Sequence, residues 1–183
     1  METRKIVSAT EAVAEIQDGS NVVVCGCENI LLPDYLLRHL EERFLETGHP
    51  SGLTELHMVI HGMGPGLGLE HFAHEGMTRC VIGSGYSFLK TSRMSALIRE
   101  NKIPAYIMPM GTVFQMLDNI AAGEAYTYSK VGIGTFVDSE VEGGCMNDCA
   151  ENTLCRRETV CGEDVLCYQN LRIDAAILRG TTA

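Results

Sequence analysis

The chain carries no run of basic residues longer than the pair Arg156-Arg157, and its 24 acidic against 14 basic residues give a net charge of −10. It therefore lacks the cationic footprint that a phosphate backbone or an anionic bilayer requires, so neither nucleic acid nor membrane is expected as a partner. No stretch approaches the roughly 20 apolar residues of a membrane span, and the opening METRKIVSATEAVAEI has no apolar segment of the signal-peptide kind, which predicts a cytoplasmic protein. There is no C-x-x-C pair among the eight cysteines. In a chain read as cytosolic these are expected to be thiols, and Cys145, Cys149, Cys155, Cys161 and Cys167 are spaced too widely for a structural zinc or iron–sulfur site, so no metal is expected. G-x-G-x-x-G is missing too. HGMGPGLG, from His61 to Gly68, sets four glycines at every second position, with Leu67 or Leu69 where a third motif glycine belongs. It reads as a flexible loop over a strand end and not as a dinucleotide site.

What is present is organised around DGSNVVVCGCENILLP, residues 18–33. Asp18-Gly19 is a turn signal, Asn21 to Val24 a short β-branched strand buried on both faces, and Cys25-Gly26-Cys27 closes it with small residues. From Leu32 the period changes: Leu36, Leu37, Leu40 and Phe44 share one face of a helix that Pro33 can begin and Gly48 can end. Upstream, Ser8 and Glu11 have capping-box spacing for a short first helix with Val13 and Ile16 inward. Downstream the pattern predicts strands at Leu56 to Ile60, Thr78 to Ile82 and Ile103 to Met108. A helix capped by Thr91 or Ser92 carries Met94, Leu97 and Ile98, and one after Pro109 carries Val113, Met116, Leu117 and Ile120. His71, His74 and Glu75 sit on one turn, with His71 and His74 sharing a face. That spacing would suit half a metal site, but it is read as a solvated face.

Strands alternating with helices predict an α/β fold: a three-layer αβα domain around a mostly parallel sheet. A chain of 183 residues suffices for one such domain, burying about 70% of its unfolded surface without staples. SKVGIGTFVD, from Ser129, is strand-like with glycines, and residues 139–164 form a polar loop and hairpin excursion. Val165 to Tyr168 and Ile173 to Leu178 return as strands, the second apolar enough to be central. A single domain over residues 1–183 that stops on a core strand and Gly180-Thr181-Thr182-Ala183 is expected to be incomplete at its C-terminus. Ligands of such sheets bind beyond the carboxyl ends of the strands, where backbone N–H groups and helix N-termini converge, so Cys25, Gly26, Cys27, Glu28 and Asn29 are the first candidate site residues. A strand-end position near a helix start does not make Cys25 or Cys27 a nucleophile, because no histidine is adjacent in sequence to act as base.

With these residues in view, the sequence resembles the family I CoA-transferases, specifically the α half of the propionate or acetate CoA-transferase type, and shares the CoA-transferase and sugar-phosphate isomerase superfold. DGSNVVVCGCENILLP, NKIPAYIMPMGT with VGIGTFVD, and ILRGTT carry the resemblance over essentially the whole chain. Asp18, Gly19, Val22, Val23, Val24, Gly26 and Pro33 match the α signature. Cys25 and Cys27 replace its first Gly and its Phe, Leu31 replaces a later Gly, and Met110 stands where the pattern has Gln. The resemblance implies a glutamate that attacks an acyl-CoA thioester and passes through an acyl-enzyme anhydride and a glutamyl-CoA thioester. That residue belongs to a Ser-Glu-Asn-Gly-like motif of the β half. Glu28-Asn29 is followed by Ile30 and lies inside the α signature, so no catalytic residue is expected on this chain.

The resemblance further implies that residues 25–29 form the oxyanion side of the site, with His61, Met110 and Gly111 as acyl-pocket candidates. Coenzyme A enters as substrate with no permanently bound cofactor, and a β part completes an oligomeric enzyme acting on an acyl-CoA and a carboxylate such as acetate. Two rival readings stand beside it: a sugar-phosphate isomerase or binding module on the same superfold, and a non-catalytic relative favoured by the changes at Cys25, Cys27 and Met110. The first would need basic and acidic residues at the strand ends, where the sequence offers mainly Gly, Cys, His61 and Met.

Overall fold

A computed structural model describes residues 6–62, 64–87 and 89–180. Met63 of the glycine run, Thr181, Thr182 and Ala183 of the C-terminal motif, and residues 1–5 lie outside this set. The Ser8 hydroxyl accepts from the Glu11 N–H and the Glu11 carboxylate accepts from the Ser8 N–H, and this reciprocal cap opens helix α1 (Ala9–Ala14) with Val13 buried. Strand β1 (Asn21–Val24) and helix α2 (Asp34–Thr47) follow where the change of period placed them. Pro33 stands at the helix start, and Gly48, in the left-handed region at φ 76°, donates to the Phe44 carbonyl and stops it. The chain continues through β2 (Leu53–His57), a buried 3₁₀ turn η1 (Gly68–Phe72), β3 (Thr78–Gly83), α3 (Arg93–Arg99), β4 (Ala105–Ile107) and α4 (Met110–Ala121).

The central sheet is parallel, in the order β4-β3-β2-β1-β8, with β8 at Ala175–Ile177. Successive side chains on a strand point to opposite faces, so Val22 and Val24 enter one core and Val23 the other. The first core joins Val22, Val24, Leu53 and Val81 to Leu37 and Leu40 of α2, Phe72 of η1 and Met94 and Ile98 of α3. The second joins Val23, Leu56 and Ile82 to Val113 and Met116 of α4, and also to Leu166 and Tyr168 of a separate antiparallel sheet. That sheet, ordered β5-β7-β6, consists of β5 (Tyr126–Ser129), β6 (Cys155–Val160) and β7 (Glu163–Gln169). The fold is α/β in three layers, with one outer layer made of helices and the other of α4 plus the three-stranded sheet.

Four local expectations change. β2 lies three residues earlier than the most apolar window, because Glu55 and His57 neutralise each other inside the protein and LTELH, not LHMVI, pairs with β1 and β3. β8 is an edge strand and not a central one: its register is set by β1 alone, and the Cys25 N–H donates to the Ile177 carbonyl at 3.0 Å. The stretch after Ser129 is not a strand. Residues 131–137 turn around the buried Asp138 carboxylate, which accepts from the backbone N–H groups of Gly134 and Glu140 and from Arg157. The glycine run after His61 is also less open than expected, since a Cβ on Gly62 (φ 72°) would stand 2.2 Å from the Leu67 carbonyl oxygen.

The excursion at 139–164 is a hairpin preceded by turns, and part of it covers β4. Ile107 N–H donates to Gly144 O at 2.8 Å and Met146 N–H donates to Ala105 O at 2.9 Å, an antiparallel contact along the outer edge of the sheet. Only glycine fits at 144, where φ is 77° and a Cβ would lie 2.3 Å from the Ile107 carbonyl oxygen.

Candidate functional site

The loop at 25–29 lies at the carboxyl end of β1, inside the sheet, where β1 runs out toward the start of α2. It is held by its own backbone. Cys27 N–H donates to Ile30 O and Ile30 N–H to Cys27 O, closing a turn, and Glu28, at φ 51°, clips that turn to the next loop. Glu28 N–H donates to Ile60 O at 2.7 Å and Gly62 N–H donates to Glu28 O at 2.8 Å. The N–H groups of Cys25, Cys27 and Glu28 are thus committed, whereas that of Gly26 takes no hydrogen bond among the described residues. A Cβ at Gly26 would stand 3.3 Å from Leu32 and 3.5 Å from the His61 Cβ, so this position has room for backbone and little else. Burial pushes the Cys25 thiol up, away from the thiolate a nucleophile needs. Cys27, Glu28 and Asn29 are exposed.

Met110 and Gly111 open α4 at the carboxyl end of β4, and both are exposed. Their N–H groups belong to the first helical turn and face outward for a partner. They occupy the same end of the sheet as the 25–29 loop, but β2 and β3 stand between, a separation of about 14 Å at the usual strand spacing. The strand order does not make one crevice of the two loops. Beside the first loop, a cavity of about 470 Å³ opens between the start of α2 and the segment after β8, lined by Leu32, Pro33, Tyr35, Leu178 and Arg179.

His61 is not a pocket-lining residue: it is 1% exposed and lies beneath the loops. Its Nε2 faces Glu55 Oε1 at 3.0 Å, and Glu55 Oε2 faces His57 Nδ1 at 2.9 Å. The other nitrogen of His57, Nε2, meets the Gly85 carbonyl at 2.9 Å. Space for this ring is made by Gly83, where a Cβ would lie 1.8 Å from His57 Nε2. Burial drives the Glu55 carboxyl up, but the His57 charge and the hydrogen bonds from both imidazoles outweigh it and hold the group at about 2. For His57 the burial term pulls down and Glu55 prevails, so its pKa is raised; for His61 burial prevails and its pKa is lowered.

Sequence reasoning missed Glu55 and His57. The available signal was their spacing, since residues two apart on a strand share a face and an acid and an imidazole there can neutralise each other. These three residues form the one His/Cys/Asp/Glu group of metal-ligand spacing found among the described residues, at positions the cysteine arithmetic did not consider.

His71 and His74 form a second cluster, and the expectation of a solvated face is corrected. His71 is buried, with Nδ1 2.5 Å from Glu41 Oε2 and Nε2 3.1 Å from Asp34 Oδ1. His74 Nε2 and Arg93 Nη2 reach Glu41 Oε1 at 2.6 and 2.8 Å. Burial raises the Glu41 carboxyl, and the hydrogen bonds from His71, His74 and Arg93 bring it down to about 2. Only Glu75 fits the surface reading, exposed and 3.8 Å from Lys102. Among the described residues no helix is long and apolar enough to cross a membrane.

The parallel sheet, with glycine and helix-start backbone gathered at its carboxyl end, defines a three-layer α/β domain of the kind that places ligands beyond its strand ends. The Coenzyme A transferase family profile matches residues 6–183. The chain is 34% identical to the caffeate CoA-transferase of Acetobacterium woodii, covering 98% of this chain and 34% of that protein. It is 30% identical to the acetate CoA-transferase YdiF of Escherichia coli K12, covering 97% of this chain and 33% of that protein. The crystal structure of the YdiF apoenzyme from Escherichia coli O157:H7 superposes on 93% of the chain and 33% of its own, with a TM-score of 0.86 and 30% identity. Glutaconate coenzyme A-transferase from Acidaminococcus fermentans shares the fold at a TM-score of 0.71 and 14% identity. This chain belongs to the Coenzyme A transferase family, and it spans about a third of the length of the first two relatives.

Proposed function

We propose that the chain is the α part of a CoA-transferase that moves CoA between a short-chain acyl-CoA and a carboxylic acid such as acetate. The observation that carries this reading is the 25–29 loop: in a member of this family, it leaves the Gly26 N–H uncommitted at the carboxyl end of a parallel strand. An N–H so placed is a donor for the oxyanion that forms when a carboxylate adds to a thioester carbonyl. The nucleophilic glutamate belongs to a β part outside residues 1–183, and coenzyme A is substrate, not resident cofactor. Attack forms an acyl anhydride and releases CoA thiolate. The thiolate then attacks the glutamyl carbon and frees the first acid. The acceptor carboxylate attacks the resulting glutamyl-CoA thioester and expels CoA thiolate to form a second anhydride, and the thiolate finally takes the acceptor's acyl carbon and releases the glutamate.

Glu28 does not take that role, because its backbone is clipped to residues 60 and 62 and its side chain leaves the same loop that would hold the thioester. The enzyme works as an oligomer in the cytoplasm. Transfer of CoA from propionyl-CoA to labelled acetate is the test. Residues 1–183 alone should show no turnover, and turnover should appear with the β part and vanish on Glu→Ala at its nucleophile. Turnover by the isolated chain that is abolished by Glu28→Gln would overturn the assignment. A non-catalytic relative is favoured by Met110, whose thioether replaces an amide's hydrogen bonds. On that reading the assembled protein binds acyl-CoA without turnover, and Met110→Gln does not confer it.

A further inference from the structure

Glu55, His57 and His61 are 0%, 0% and 1% exposed, and each atom they present can be assigned a proton from its neighbours. Glu55 Oε2 and Gly85 O can only accept, so His57 donates from both ring nitrogens and is an imidazolium. His61 donates Nε2–H to Glu55 Oε1, and its Nδ1 has no hydrogen-bond partner among the described residues, which leaves that ring neutral. The cluster therefore holds one carboxylate, one imidazolium and one neutral imidazole, with no net charge in the interior. The donor set also matches a His₂-carboxylate metal centre, but a catalytic centre keeps a position open to solvent and a structural one takes a fourth ligand. Here the three side chains are sealed and already bonded to one another.

The backbone around this cluster carries the strand-end loops. His61 lies between Ile60 and Gly62, the two residues that clip Glu28. His57 holds Gly85, in the loop after β3. We propose that Glu55 is a positioning residue: through His61 it fixes the loop at 25–29, and through His57 it fixes the loop after β3, so that one buried carboxylate sets the relative placement of three strand ends. The proposal rests on the reading of the 25–29 loop as part of a transferase site. The other titratable groups that face the cluster are Tyr86 and Cys80, near Glu55, and Asp34, near His61. Burial raises the Tyr86 hydroxyl and the Cys80 thiol, so neither brings a second negative charge to Glu55.

The test uses Glu55→Gln in the assembled transferase and two independent readouts. In hydrogen–deuterium exchange, peptides covering 25–32 and 83–87 should exchange faster in the variant while the α4 peptide is unchanged. In steady-state kinetics kcat should fall at pH 8 by about 10- to 100-fold with KM for acyl-CoA little changed, the cost of a misplaced oxyanion donor. Unchanged exchange in both loops overturns the proposal, as does a kcat at pH 8 equal to that of the wild type. About one equivalent of zinc or another divalent ion in the wild type, lost in Glu55→Gln, also overturns it. If the wild type transfers no CoA, the transferase reading fails, and the exchange measurement still decides the anchor.

Discussion

The protein contains two carboxylate–histidine clusters that look alike in composition and differ in setting. Around Glu55 two imidazoles are sealed between strands, with every side chain at 0% exposure. Around Glu41 two imidazoles and a guanidinium meet at the junction of α2, η1 and α3, where Glu41 keeps 13%, His74 18% and Arg93 46% exposure. The sealed cluster must balance its charge internally because no water can take over a lost partner. The open one adds a guanidinium to its two imidazoles and is partly open to solvent, so water can take over a lost partner there.

Removing each central carboxylate is the strongest way to break the comparison. Glu55→Ala leaves two sealed imidazoles without their shared partner and should cost about 3–5 kcal/mol, against about 1–3 kcal/mol for Glu41→Ala, whose partners can hydrate. Denaturant midpoints of the two variants measure the gap, and equal losses would erase the distinction. Glycines sharpen it at the next level. Gly83→Ala drives a methyl into His57 and should cost about 1–3 kcal/mol. Gly111→Ala meets nothing within 4 Å, sits in a helix, and should stabilise by up to about 0.5–1 kcal/mol. A thermal shift in the same direction for both would contradict the packing described.

Acidity separates the two imidazoles of the sealed cluster, whose pKa values move in opposite directions from 6.5. His57, raised in the fold, stabilises below 6.5 and loses that contribution as pH climbs through its folded value. His61, lowered in the fold, favours the native state above 6.5 and loses that contribution as pH falls below it. Glu55, at about 2 in the fold against 4.5 ordinarily, adds stability above 4.5 that disappears as pH falls toward 2. His61→Gln should therefore flatten the decline in stability between pH 6.5 and 5 and leave the alkaline limb alone. An unchanged acid limb would remove His61 as its source. The smallest effect belongs to the open cluster: Arg93→Ala should lose under about 1 kcal/mol and show salt dependence, as exposed ion pairs do.

The sequence made β1, α2, α3 and α4 legible because each has the apolar period of its own element and a stop or cap beside it. Ser8 with Glu11, Ser92 and Gly48 act as the sequence predicts. Apolar patterning misplaces β2 because the strand's interior is partly ionic, and hydrophobic periodicity cannot see a carboxylate whose partners lie at His61 and, through His57, at Gly85. The 25–29 loop was legible as a strand end. Which of its N–H groups remain uncommitted was not, since Cys25 and Glu28 are satisfied by Ile177 and Ile60, distant in sequence. Apolarity alone predicts a central β8, and three residues of Ala-Ala-Ile carry no mark of which side they will stand on.

The segment at 144–146, laid along β4, gives the sheet a polarity that its strand order alone does not have. One margin is closed by backbone hydrogen bonds, with a glycine where the chains come within reach. The opposite margin, β8, has no strand against its outer side among the described residues. Lateral extension of this sheet, whether by more of the same polypeptide or by an intruding β-segment during misassembly, is thereby directed to a single flank. The turn around Gly144 acts as a terminator for sheet growth, as a cap repeat does at the end of a solenoid.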